Sequence, residues 1–306
     1  MIDPGLALLA AVSLSGTLEA AIGEPPGRYH PVVFLGAVIE RLEVRSFGRP
    51  RLAGALYAVS VPIASAAAIY GLVGIAGTVH PIAAAALAGV VLWLASSLRL
   101  LLESARRVIE ASETDTDAAR DALLALVGRE TGALSPTLVR SAAMESLAEN
   151  LSDGLIAPLS AFFVLSFVSL PAAAAGAAFV KAVNTMDSML GYPGPLGWGS
   201  ARLDDLVMFV PARVSAVLLA VTTGGPDVPL RARRYAYKPA SPNAGWPMGA
   251  LAAALNVRLE KPDAYVLNDV AAEPTERDGV AAISVTKRTG ALAYALVALA
   301  GVLRWL

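Results

Sequence analysis

Leu155–Val183 reads LIAPLSAFFVLSFVSLPAAAAGAAFVKAV, 29 residues that are apolar almost throughout and interrupted by Pro158 and Pro171. That length exceeds the roughly 20 residues that cross a bilayer once. The prolines remove amide donors that a continuous helix would use. The stretch therefore reads as one over-long span or as a broken, re-entrant hairpin turning near Pro171. Irregular backbone at membrane depth is stable only where protein buries it or a cavity solvates it. The choice decides the fold, because acid-bearing segments lie on both sides. One span would send them to opposite faces, whereas a hairpin returns them to the same face. The hairpin is favoured, since the chemistry these acids suggest needs them together.

Upstream lies ESLAENLSDG, Glu145–Gly154. Ser135-Pro136 opens its helix with a capping hydroxyl and a proline suited to the first position, and Gly154 suits a left-handed closing residue. Glu145, Glu149 and Asp153 recur every four residues and so stack along one helical stripe. Like charges at that spacing repel by about 0.2–0.5 kcal/mol per pair, and a cation along the stripe would reverse the sign. Spacing alone fits a solvated helix face equally well. Downstream come Lys181, Asn184 and Asp187, the loop GYPGPLGWG (Gly191–Gly199), then Arg202 and the pair Asp204-Asp205. The loop is not followed by the Lys-Ser/Thr of a Walker A motif. The aspartate pair also suits the first turn of a following helix. Carboxylates interleaved with Arg129, Lys181, Arg202 and Arg213 are what phosphoryl chemistry uses: Mg²⁺ bridges phosphate oxygens and fixed cations take up developing charge.

Composition narrows the class. Of 306 residues 56% are hydrophobic and 16% charged, against about 25% charged in an average soluble domain, and the mean hydropathy is +0.60. A net charge of −1 offers no footprint for nucleic acid. There is no cysteine, and His30 and His80 are the only histidines. Thiol catalysis, disulfides and thiolate clusters are excluded, and any metal is expected to be a hard, oxygen-bound ion such as Mg²⁺.

The apolar segments are about 5–22, 52–78, 81–102, 155–183, 206–221 and 290–306. They predict an all-α integral membrane protein of five to six apolar helices, one broken or re-entrant, in a single embedded domain spanning 1–306. Arg28, Arg41, Arg45, Arg49 and Arg51 follow the first segment and mark a cytoplasmic loop by the positive-inside rule. Val32–Leu42 reads as a helix lying at the interface. Glu103–Gly154 is polar and helical in pattern, with an amphipathic helix over Asp115–Val127. Arg213 interrupts an apolar run and should face a polar interior, an acid or an anionic substrate. Arg231, Arg233, Arg234 and Lys238 form a basic cluster suited to anionic lipid, and Ser241–Gly245 is a turn before a helix over Met248–Leu255. These features place the chain in the cell (cytoplasmic) membrane, with the acids on the cytoplasmic side.

Six stretches, in order, resemble the CobD/CbiB family of cobalamin biosynthesis, the adenosylcobinamide-phosphate synthases: HPVVFLG from His30, VGRET from Val127, ENLSDGLIAP from Glu149, KAVNTMDSMLGY from Lys181, GSARLDDLVMFVPAR from Gly199 and SPNAG from Ser241. The resemblance as a whole covers nearly the whole chain, from about Gly23 to Tyr265. The resemblance implies an integral membrane ligase that joins (R)-1-amino-2-propanol phosphate, or free aminopropanol, to the propionate carboxyl of adenosylcobyric acid, consuming ATP with Mg²⁺. Membrane lipid and a possible complex with other cobalamin-assembly enzymes are the further partners implied. Carried to matching positions, it marks Glu149, Asp153, Asp204 and Asp205 among the family's motif residues, and the mechanism expected of such a ligase makes them ligands of Mg²⁺-ATP. Asp187, His30 and Lys181 take catalytic roles, with Asp187 or His30 deprotonating the amine. Arg129, Asn150, Asn184, Arg202, Arg213 and Asn243 bind substrate. The chain departs from the family's pattern at Glu24 and Glu130, where Asp is common, at Met208, where Asn is frequent, and at Lys238–Ala240, which lacks a His often found before SPNAG. The rival class is a transporter of a small anionic or corrinoid substrate, since Glu19, Lys181 and Arg213 within broken apolar runs also suit a substrate pathway.

Overall fold

The computed structural model describes residues 3–27, 30–43, 49–128 and 131–306; Arg28, Arg45, Arg129 and Glu130 lie outside them. Helices dominate. Three described helices are long and apolar enough to cross a membrane, Pro4–Ala21, Pro50–Val79 and Pro81–Thr114, or four if the pair Trp198–Val207 and Phe209–Thr223, bent by 46°, is one span. That is fewer than the five to six expected. The 155–183 segment is divided between two helices, the second of which carries Lys181 and Asp187. The 290–306 segment is only the end of a helix whose first half is charged.

The fold comprises two compact units built from discontinuous sequence. The first takes Met1–Ser97, Ala157–Met208 and Tyr294–Leu306. It contains α1 (Pro4–Ala21), α2 (Pro31–Glu43), α3 (Pro50–Val79), α4 (Pro81–Ala95), α8 (Ala157–Leu165), α9 (Leu170–Leu190) and α10 (Trp198–Val207). The expected hairpin is present as α8 packed against α9. Its turn falls at 166–169 rather than at Pro171, which instead occupies the first turn of α9, where a missing amide costs no helical bond. Ser169 caps α9 by accepting from the Ala172 amide at 3.2 Å. Arg304 fastens the tip, donating to Ser166 Oγ at 2.8 Å and stacking 4.4 Å from the Phe167 ring. Small residues allow close approach where the Gly/Pro loop meets α3. A Cβ on Gly54 would overlap the Leu196 carbonyl oxygen, and one on Gly199 would lie 2.7 Å from Ala55 Cα. These contacts seat the loop and set the start of α10.

The second unit takes Leu98–Ile156 and Phe209–Ala293: α5 (Leu98–Thr114), α6 (Thr116–Leu123), α7 (Pro136–Leu151), α11 (Phe209–Thr223), α12 (Val228–Arg233), α13 (Gly245–Leu255) and the first part of α14 (Glu276–Trp305). The amphipathic helix over 115–127 is realised as the shorter α6, capped by Asp115. A hairpin of β1 (Leu259–Lys261) and β2 (Tyr265–Leu267), absent from the sequence reading, packs on α7. Arg140, 8% exposed, locks α7 to its surroundings, donating to the Pro274 carbonyl at 2.9 Å and to Glu113 at 2.7 Å.

Ser135 caps α7 as expected, accepting from the Leu138 amide, but Gly154 does not close it in a left-handed conformation. The chain instead runs through a π-helical turn, Ser152–Ile156, into α8. Pro158 follows one turn later and has no amide to offer the Gly154 carbonyl, so the wider turn takes up the lost helical bond. The regular four-residue stripe thus ends at Glu149, and Asp153 sits in the π turn.

Candidate functional site

In the first unit α1 delivers a polar cluster to the start of α2 and the middle of α9. Gly23, at φ +71°, turns the chain as α1 ends, and its carbonyl accepts from the Trp93 indole at 2.9 Å. This bond positions the following Glu24. Burial raises the Glu24 pKa, the nearby Lys181 ammonium opposes that rise, and Glu19 adds to it. His30 is 6% exposed; its Nδ1 accepts from the Val32 amide at 3.2 Å, while Nε2 is buried without a hydrogen-bond partner among the described residues. Burial, then the Lys181 charge, lowers the His30 pKa. The imidazole is therefore neutral near pH 7, and with Nδ1 accepting, the hydrogen resides on Nε2. Such a ring donates; it has no basic nitrogen to spare. Among the described residues Lys181 is also the single charged one lining an apolar cavity of about 260 Å³ among α2, α3, α4 and α9.

Further along α9, Asn184 and Asp187 follow Lys181 at three-residue spacing. Burial, followed by the charge of Asp205, raises the Asp187 pKa. Gly191 is required here, because a Cβ would lie 2.6 Å from the Asp187 carbonyl oxygen as well as over its carboxylate. Asp204 and Asp205 lie in the last turn of α10, where acids gain nothing from the helix dipole; the alternative reading, in which they stabilise the start of a helix, is not realised within α10. Arg202 pairs with Asp205 at 3.1 Å from an exposed position. Asp187 and Asp205 are thus near enough for their charges to repel. Mg²⁺ is held by one or two carboxylates, with water and substrate phosphate completing its octahedron, a donor set that the adjacent Asp204 and Asp205 of α10 can supply. Among the described residues no three or more acids or histidines gather into a complete protein cage.

In the second unit the acidic stripe is not a solvated face. Glu145 is 5% exposed, and its two oxygens accept from Ser141 Oγ at 3.0 Å and from the Tyr265 hydroxyl at 2.9 Å. Glu145 and Glu149 line a polar cavity of about 210 Å³ with Ser146, Lys261 and Tyr265, closed on one side by Leu126–Gly128. Asp153 is half-buried and is not among its walls. Asn150 turns back on its own helix, donating to the Ser146 carbonyl and hydroxyl, and Ser146 in turn donates to the Leu126 carbonyl at 3.0 Å. Those bonds set the start of the VGRET segment, whose Thr131 donates to the Arg120 carbonyl; Arg129 itself is outside the described residues.

Arg213 of α11 and Asn243 of the SPNAG turn are brought together. The guanidinium donates to Asn243 Oδ1 at 2.8 Å and to the Phe209 carbonyl at 2.6 Å, and it lies 3.6 Å and 5.0 Å from the Phe209 and Trp246 ring centres. Of the polar interior, acid or anionic substrate expected for it, the described contacts supply carbonyls and aromatic faces, which hold a cation without neutralising it. Ser241 Oγ accepts from the amides of Asn243 and Ala244, fixing the turn.

Lys261 and Tyr265 were not among the expected site residues. The signal that could have found them is Pro262-Asp263 between LEK and YVL, a turn pair flanked by strand-like residues.

The family model described as CobD/Cbib protein matches residues 12–295. A "Probable cobalamin biosynthesis protein CobD" of Methanothrix thermoacetophila is 36% identical over 92% of this chain and 93% of its own length. The "Cobalamin biosynthesis protein CobD" of Geobacter metallireducens is 36% identical over 95% and 92%, and that of Rhodobacter capsulatus 35% over 94% and 95%. No solved structure matches the chain.

Proposed function

Because this chain belongs to the CobD/Cbib family and so takes part in cobalamin biosynthesis, we propose that it is a membrane ligase forming adenosylcobinamide phosphate from adenosylcobyric acid and (R)-1-amino-2-propanol phosphate, driven by ATP. The match across residues 12–295 carries this reading. Its site lies on the cytoplasmic side of the cell membrane.

A carboxylate is a poor acyl donor. A propionate oxygen therefore attacks the terminal phosphorus of ATP and ADP leaves, giving an acyl phosphate. The amine then attacks the acyl carbon, and inorganic phosphate departs with the former propionate oxygen. Glu149, Asp153, Asp204 and Asp205 are the proposed Mg²⁺ ligands on the strength of their motifs; when bound, the ion neutralises charge on the phosphate oxygens. Lys181, Arg129, Arg202 and Arg213 hold phosphate and leaving group. Asn150, Asn184 and Asn243 orient the corrinoid amides. Of the two residues expected to take the amine proton, Asp187 fits better: its raised pKa brings a carboxylate toward the range of an effective base. His30, with Nδ1 already accepting, fits a donor to substrate.

The test is product formation. Detergent-purified protein given adenosylcobyric acid, aminopropanol phosphate, ATP and Mg²⁺ should yield the amide by mass spectrometry, and chelation should abolish it. Substrate uptake into vesicles without any ATP-dependent product would instead support the transporter.

A further inference from the structure

The polar cavity of the second unit contains a cation that no role above uses. Lys261 and Tyr265 are partners across the antiparallel ladder, so both side chains leave the hairpin on one face. That face looks onto α7, since the Tyr265 hydroxyl donates to Glu145. Ser141 fixes the strand from the other end, accepting from the Glu260 amide at 2.6 Å while donating to Glu145. Lys261, half-buried, thereby lines the same space of about 210 Å³ as Glu149 and Ser146. A space of that size admits a phosphate group together with several waters. An ammonium, two carboxylates and two hydroxyls in one small pocket complement a phosphate group and its accompanying cation.

We propose that this pocket is a phosphate subsite in which Lys261 holds the phosphate oxygens and Glu149 faces the accompanying cation, with Tyr265 and Ser141 as positioning residues acting through Glu145. The inference rests on the ligase reading, which supplies two phosphate carriers, the end of ATP and aminopropanol phosphate.

Titrating each carrier separately against wild type, Lys261→Gln and Lys261→Arg distinguishes them. Loss of one charge-assisted contact should raise KM for one carrier roughly tenfold to a hundredfold in the Gln variant, with the other KM and kcat within about threefold, and Arg should restore most of the loss. The carrier affected is the occupant. Calorimetric Kd values for ATP with Mg²⁺ and for aminopropanol phosphate, measured on the same proteins, should move in parallel. Unchanged KM and Kd for both carriers, or a fall in kcat alone, would overturn the subsite. If wild type forms no amide, the ligase reading fails and calorimetry decides the pocket by itself: selective loss of binding in the Gln variant upholds it, and no binding of either carrier to wild type refutes it.

Discussion

Asp187→Asn should lower turnover by about 10²- to 10⁴-fold, the range for loss of a general base, and yet make the protein more stable at neutral pH. Burial and the charge of Asp205 raise the Asp187 pKa in the folded state. The native form therefore holds this proton more tightly than the unfolded chain. Stability is fully present below the ordinary carboxylate range and is lost as pH rises through the raised value. Asparagine carries no such loss. Melting in Mg²⁺-free detergent should place the variant above wild type at neutral pH and level with it in acid, with Mg²⁺ narrowing the gap as it stabilises the carboxylate. A variant that loses activity while melting lower across the whole pH range would make Asp187 a structural residue instead.

The second large effect is expected at Asp153. Asp153→Asn removes one charge while keeping shape, so ligation should fall by at least about 10²-fold, a loss typical of a missing electrostatic contact at a transition state. Membrane insertion and melting should stay close to wild type, because Asp153 is only half-buried and lies in a π turn whose neighbours Ser152, Gly154, Leu155 and Ile156 provide the packing. Activity and melting measured on one preparation check both halves. Near-normal turnover would remove Asp153 from the mechanism.

Helices, caps and motifs were legible in the sequence because they depend on local rules. Ser135-Pro136 opens a helix where a cap and a first-turn proline predict one, and the apolar run from Leu155 folds back as a hairpin. Tertiary packing decided the rest. A proline at 171 marks a helix start as well as it marks a break, so the turn falls at 166–169. Gly154 permits a left-handed stop, but Pro158 and the continuing helix favour a wide turn. An acid every fourth residue does not say whether its face is wet, and Glu145 became buried through Ser141 and through Tyr265, 120 positions away. Lys261 was missed for the same reason, since its meaning comes from the strand pairing that turns it toward α7. Arg213, an arginine within an apolar run, finds polar company in an asparagine carbonyl.

Ligation by this route requires activation of the propionate carboxyl by phosphoryl transfer, and oxygen tracing measures that step directly. Adenosylcobyric acid labelled with ¹⁸O in the reacting carboxyl is turned over with ATP and aminopropanol phosphate, and the released inorganic phosphate is analysed by mass spectrometry. Acyl-phosphate chemistry predicts one ¹⁸O in phosphate for each amide formed. Amide formation with unlabelled phosphate would contradict it.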